Sequence, residues 1–218
     1  MIRQLRFEAP AWNLREIARY ARADINDERI AALIDECIEE AEAVLDYRVC
    51  YTTDEIVRED GMLQFCGIRS DSATIAKAVN GCEHVVLFAS TVGAPFDRLI
   101  AKYSRLEPSK ALILQAIGAE RVESLCDAFC EKLNMELNSV GKSLRTRVSP
   151  GYGDIPLSIQ IDIFKVLDCE RKIGLTLNES LLMSPSKSVT AIMGIGAYQC
   201  RERVKCADCD KADCIYRQ

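Results

Sequence analysis

No stretch of apolar residues in this 218-residue chain approaches the ~20 needed to cross a bilayer, so no membrane span is expected. The opening segment, MIRQLRFEAP, has basic residues with no apolar stretch behind them, which is not the form of a secretory signal; a cytoplasmic protein is the expectation. Positive charge is also short. Lys and Arg total 28 against 33 Asp and Glu, a formal net charge of -5, and no run concentrates the cations. Nucleic-acid binding calls for a basic face, often with stacking aromatics, and aromatics make up 6% here, so no nucleic-acid partner is expected. There is one histidine, His84, beside Val85-Val86 at a strand start; with no partner motif it reads as structural or surface. No Ser-His-Asp arrangement and no P-loop is present, and Gly194-Ile-Gly196 lacks the third glycine of a dinucleotide fingerprint. Without a general acid–base pair, no catalytic residue is nominated.

What is present is the composition of a globular protein, with 49% apolar and 28% charged residues. A short strand opens at Ile2 to Phe7, followed by a loop around Pro10 and Trp12. A helix from Asn26 to about Asp46 carries its apolar stripe on Ile30, Leu33, Ile34, Cys37, Ile38, Ala41 and Leu45, with Asn26 as N-cap. Strands are expected at Tyr47–Thr53 and Met62–Phe65. A helix through Ala73 to Val79, capped from Ser70 or Asp71, stops at Asn80-Gly81. Val85–Ala89 reads as a central strand buried on both faces. Gly93 then turns into a helix ending near Tyr103, and the strongest helix runs from about Pro108 to Leu137. Its inner stripe is read as Leu112, Ile113, Ile117, Val122, Leu125, Cys126, Phe129 and Leu133. A basic strand-like piece, a Pro-Gly-Tyr-Gly turn, a helix from about Leu157 to Cys169 and a strand at Val189–Ile195 complete the body. The late strands follow one another without the long crossovers of a parallel sheet. The fold class expected is therefore α+β: a single domain over residues 1–196, helices packed on a largely antiparallel twisted sheet, with a Cys-rich C-terminal tail over residues 197–218.

The segment Arg145-Thr-Arg147-Val-Ser149-Pro-Gly151-Tyr152-Gly153-Asp-Ile-Pro156 is the most informative. It sets a guanidinium just upstream of a tight turn. Arginine suits a carboxylate or phosphate. Gly151 and Gly153 have no Cβ and allow close approach of a ligand to the backbone. Tyr152 can lie against a planar group with its hydroxyl free. Together these suit a zwitterion that carries a heteroaromatic base. The plain alternative is an ordinary turn in which Arg147 solvates one edge and Tyr152 packs outward.

Arg147-Val-Ser-Pro-Gly-Tyr-Gly resembles the Arg-x-x-x-Gly-Tyr motif of the activation domain of cobalamin-dependent methionine synthase. The series continues in register through Leu167-Asp-Cys-Glu-Arg-Lys-Ile-Gly-Leu and Leu177-Asn-Glu-Ser-Leu-Leu-Met-Ser-Pro-Ser-Lys-Ser-Val189. Upstream, Ala89-Ser-Thr-Val-Gly93 and Ala119-Glu-Arg-Val-Glu123 are also similar, so the likeness spans roughly residues 85 to 195. The resemblance implies S-adenosylmethionine as ligand, with Arg147 meeting the methionine carboxylate. The backbone around Ser149, Gly151 and Tyr152 would meet the adenosine part, and Glu123 is the nearest candidate for an acidic contact from the long helix. It further implies a corrinoid carried by a partner, a corrinoid-binding methionine synthase or related methyltransferase, and a role in reductive remethylation of its cobalt.

Eleven cysteines is a high count. Cys37, Cys50, Cys66, Cys82, Cys126, Cys130 and Cys169 are scattered among apolar neighbours and read as small core hydrophobes. Cys200, Cys206, Cys209 and Cys214, spaced C-x5-C-x2-C-x4-C in a polar segment, could hold zinc or an iron–sulfur cluster, form a disulfide, or stand as free thiols. This tail departs from the large enzyme's domain, which has further tyrosines in that position. Three readings follow: an S-adenosylmethionine-binding accessory protein acting as part of a methyltransferase complex; an iron–sulfur or zinc redox or docking module without its own methyl-donor site; and a scaffold that only binds the corrinoid partner.

Overall fold

One antiparallel sheet, covered on both faces, organises the chain in the computed structural model, which describes residues 1–198. Strand β1 (Arg3–Arg6) precedes helices α1 (Leu14–Ala21) and α2 (Glu28–Glu42). Next come β2 (Arg48–Glu55), a small sheet of β3 (Val57–Glu59), β4 (Met62–Phe65) and β5 (Ile68–Ser70), and then α3 (Ala73–Ala78). Strand β6 (Cys82–Thr91) leads into α4 (Ala94–Leu106) and the long α5 (Pro108–Asn138). The order ends with β7 (Lys142–Leu144), α6 (Ile159–Leu167), α7 (Cys169–Ile173), the short pair β8 (Thr176–Leu177) and β9 (Met183–Ser184), and β10 (Ser188–Ala197). The main sheet has the order β1-β2-β6-β10-β7, each neighbouring pair antiparallel. The expected α+β class, with helices on an antiparallel sheet, is the one found.

The unbroken apolar run at Val85–Ala89 follows from burial on two sides. Successive side chains of a strand point to opposite faces. Val86 and Phe88 join a core with Ile17, Ile34, Phe96, Ile117 and Phe129 from α1, α2, α4 and α5. Val85, Leu87 and Ala89 join a second core with Phe65, Ile75, Ile163 and Ile173. All five residues of that run are fully buried, each large one contributing on the order of 1.5–3 kcal/mol of transfer free energy.

Several local expectations give way to tertiary contacts. Helix α1 follows the expected loop around Pro10 and Trp12, in a stretch where no helix was expected: Asn13 caps it, accepting from Glu16 N, and Ile17 is its one large fully buried side chain. Asp27 caps α2 instead of Asn26, and Ser72 caps α3 instead of Ser70 or Asp71. Leu112, read as part of the inner stripe of α5, is 57% exposed, while its neighbours Ala111, Ile113, Leu114 and, unexpectedly for a cation, Lys110 are buried. The Lys110 ammonium reaches Glu36 at 2.5 Å and Glu40 at 3.1 Å, tying α5 to α2. The helix read over Leu157–Cys169 is interrupted at Asp168, whose φ of 49° ends α6 in a left-handed cap before α7 restarts. Of the scattered cysteines, Cys37, Cys50, Cys82, Cys126 and Cys169 are buried, while Cys66 and Cys130 are half-buried. No helix among the described residues is long and apolar enough to cross a membrane.

The loop before α1 is held by a buried ion pair. Arg121 of α5 is fully buried against Glu120, lies 3.9 Å from the Trp12 ring centre, and donates to the carbonyls of Pro10 at 2.7 Å and Ala11 at 2.9 Å. Two charges removed from water are tolerated because each finds hydrogen-bond partners.

Candidate functional site

The conspicuous segment extends β7 along the free edge of the main sheet. Leu144 pairs with Ile195, and Val148 bridges Ile192, so four steps along this strand match three along β10. One extra residue is therefore inserted, as in a β-bulge, and it reverses the alternation of faces. Arg145 and Arg147, two apart, would share a face in a regular strand; here they do not. Arg145 lies against Gly196 on the α3 side, where a Cβ on Gly196 would come 2.7 Å from its Nη2. Arg147 turns to the α5 side.

There Arg147 Nη2 meets Glu123 Oε2 at 2.6 Å and Asp127 Oδ1 at 3.3 Å, acids one helical turn apart on α5. Its Nη1 is buried and makes no hydrogen bond among the described residues. Burial works against the guanidinium charge, but Cys126, Glu123 and Asp127 outweigh it and keep the pKa above its already high ordinary value. Both carboxylates keep solvent access, with side-chain exposures of 45% and 61%. Behind them, burial pushes the Cys126 thiol up to about 12 and the Cys130 thiol up to about 11, so neither supplies a thiolate near neutral pH. Tyr20 of α1 adds an aromatic: burial and then the Glu123 charge raise its phenol pKa, and the Arg19 guanidinium lies 4.4 Å from its ring centre. An arginine with one spare donor beside two acids is complementary to an amino-acid zwitterion, carboxylate to the first and ammonium to the second.

The turn that follows is locked by its own backbone. Tyr152 N donates to Ser149 O at 3.1 Å, Gly151 N to Ile155 O at 3.0 Å, and Ile155 N to Tyr152 O at 3.1 Å. Gly151 and Gly153 take φ of 83° and 61°, a region that penalises any side chain. Asp154 then clamps the turn onto α3, accepting from Ser72 Oγ at 2.6 Å, Ala73 N at 2.7 Å and Thr74 N at 3.1 Å. Those hydrogen bonds, with Ser72 first, hold its carboxyl well below the usual carboxylate range. Beside the turn is a cavity of about 540 Å³ that Tyr152 borders together with Thr74, Lys77, Asn80 and Arg145.

The structure thus joins Arg147 to Glu123, and it sets Ser149, Gly151 and Tyr152 on one rigid turn. It does not put Arg147 on the cavity beside Tyr152; Arg145 lines that cavity instead. Sequence alone missed Asp127, Tyr20 and Asp154. The spacing of Glu123 and Asp127 by four was the available signal for the first, and α1 had to be recognised for the second. Among the described residues, no three His, Cys, Asp or Glu side chains cluster as a metal site. Cys200, Cys206, Cys209 and Cys214, the expected metal ligands, lie outside the described residues.

Comparison with known proteins bears on the family of the chain and on its fold. The family model described as the vitamin B12 dependent methionine synthase activation domain matches residues 20–201. A solved structure described as the crystal structure of the MetH reactivation domain bound to AdoHcy is similar in fold, with a TM-score of 0.63 and 13% sequence identity over 89% of this chain and 78% of that one. No curated protein matches the chain.

Proposed function

Because the chain belongs to the vitamin B12 dependent methionine synthase activation domain family, we propose that it binds S-adenosylmethionine and supports reductive remethylation of a corrinoid held by a partner methionine synthase or related methyltransferase. The observation that carries this reading is the spare, buried Nη1 of Arg147 beside Glu123 and Asp127. A buried donor without a partner costs free energy, about 1–3 kcal/mol, which an incoming carboxylate would offset. The similar solved structure, a MetH reactivation domain bound to AdoHcy, supports a ligand of this class.

The methionine part would lie on α5, its carboxylate on Arg147 and its ammonium toward Glu123 and Asp127. The adenosine part would run along the sheet edge over the backbone of Ser149 and Gly151 toward the exposed ring of Tyr152. A methyl sulfonium bound there brings its own electrophile, and the nucleophile belongs to the partner's reduced cobalt. The chain's residues then have one task, to hold the methyl group in line for transfer, and orientation of this kind can supply a large share of a barrier.

Calorimetric titration of S-adenosylmethionine into the wild type, Arg147→Ala and Arg147→Lys tests the reading. Saturable binding in the wild type that weakens about tenfold or more on Arg147→Ala is expected, since a charged hydrogen bond contributes about 1.5–3 kcal/mol. Equal, negligible heats in all three would reject it.

A further inference from the structure

A second cavity, of about 450 Å³, lies on the same sheet and is used by nothing described so far. Its floor comes from all five strands of the main sheet: Arg3 of β1, Tyr51 and Thr53 of β2, His84 of β6, Ile195 of β10 and Lys142 of β7. Their register puts them on one face. Arg3 opposes Tyr51, Thr53 opposes Val86 two residues from His84, His84 opposes Ile195, and Ile195 opposes Leu144 two residues from Lys142. That is the face α5 covers, and α5 ends at Asn138, so the sheet continues past its helix. Leu133 and Leu137 from the last turns of α5, with Val140 just beyond, form the apolar wall. Val140 stays 67% exposed at the rim.

The polar groups here are poorly matched among themselves. Arg3 donates to Tyr51 Oη at 3.4 Å and feels the charge of Glu136 across the cavity, but among the described residues it has no carboxylate within ion-pair distance. Lys142 has Glu83 at 3.6 Å, and Glu83 is 79% exposed. His84 Nδ1 is buried and makes no hydrogen bond among the described residues. Glu136 is the single acid on the cavity, and it has Lys132 of its own helix at 3.8 Å. An apolar wall with a few converging polar groups, in a volume within the usual small-molecule range, is what a ligand site requires. Two cations against one acid set the sign of the ligand.

We propose that this cavity binds a small organic anion, a carboxylate or phosphate carried on an apolar body, with Arg3 and Lys142 on the anionic head and Leu133, Leu137 and Val140 on the body. The site is separate from the one assigned to S-adenosylmethionine and does not depend on that assignment.

The chain's one histidine makes the test direct, because His84 gives a single imidazole Cε1–H signal in the proton NMR spectrum. Benzoate and phenyl phosphate are titrated at fixed pH and ionic strength, with benzylamine and inorganic phosphate as comparison probes. A saturable shift of that signal with either aromatic anion is expected, weakened about tenfold or more by Arg3→Ala and unchanged by Arg147→Ala. Whichever aromatic anion saturates first identifies the head group. Arg3 is exposed, so an unaltered free spectrum of Arg3→Ala shows that the fold is kept. No saturable shift with either anion overturns the proposal, as does benzylamine binding as tightly, inorganic phosphate saturating at the same concentration, or Arg3→Ala binding like the wild type.

Discussion

Gly153→Ala is the sharpest probe of how the turn at the candidate site is held. Gly153 has φ of 61°, and a Cβ there would come 2.5 Å from Thr74 Oγ1 and 3.4 Å from Thr74 Cβ. Placing alanine in the left-handed region costs about 1–2 kcal/mol, and the stiffer unfolded chain returns about 0.4–1 kcal/mol. Thr74 must also move, although it is hydrogen-bonded to Asp154, which adds about 1 kcal/mol of overpacking. A net loss of about 2 kcal/mol is expected. In a Thr74→Ala background the steric part disappears, and the same substitution should cost about 1 kcal/mol, a coupling measurable in a double-mutant cycle. Urea denaturation followed by circular dichroism and by fluorescence of the chain's single tryptophan, Trp12, gives the four stabilities. If Gly153→Ala costs under about 0.5 kcal/mol, or the same in both backgrounds, the close approach of turn to α3 does not exist in solution.

Two further outcomes are expected. Gly118→Ala sits mid-helix in α5, where alanine should gain about 1 kcal/mol of propensity, but its Cβ would fall 2.5 Å from Phe96 Cε1 and 2.8 Å from Lys187 Cγ. Phe96 is fully buried, so overpacking of about 1–3 kcal/mol wins and thermal denaturation should show a net loss; a stabilised variant would mean that α4 and α5 separate easily. Asp154 carries a depressed pKa in the folded state, so the stability it contributes is complete above the ordinary value of 3.8 and is lost as pH falls through the folded one. The stability gap between wild type and Asp154→Asn should therefore hold constant down to about pH 5 and narrow below about pH 4. A gap unchanged at about pH 3 would count against the clamp.

Local pattern was enough for the elements that bury a continuous stripe. Val85–Ala89 and the long helix from Pro108 were legible because burial on two sides, or along one helix face, leaves a periodic mark on the residues themselves. The Arg147-to-Tyr152 motif was legible for the same reason, since a positive-φ turn demands glycine and says so in the chain. What sequence could not contain was the direction of side chains set by other segments. Short α1 has one large buried residue and takes its place from Glu120 and Arg121, remote in the chain, which hold Asn13 and the loop of Pro10, Ala11 and Trp12 just before it. The inserted residue between Leu144 and Val148 is visible only against β10, yet it sends Arg147 to α5 and Arg145 to the cavity by Tyr152. Sequence named the chemistry of the candidate site, because residue type fixes which charges and donors exist. Tertiary structure decided which of those groups face one another, because a strand's faces are defined only by its neighbours.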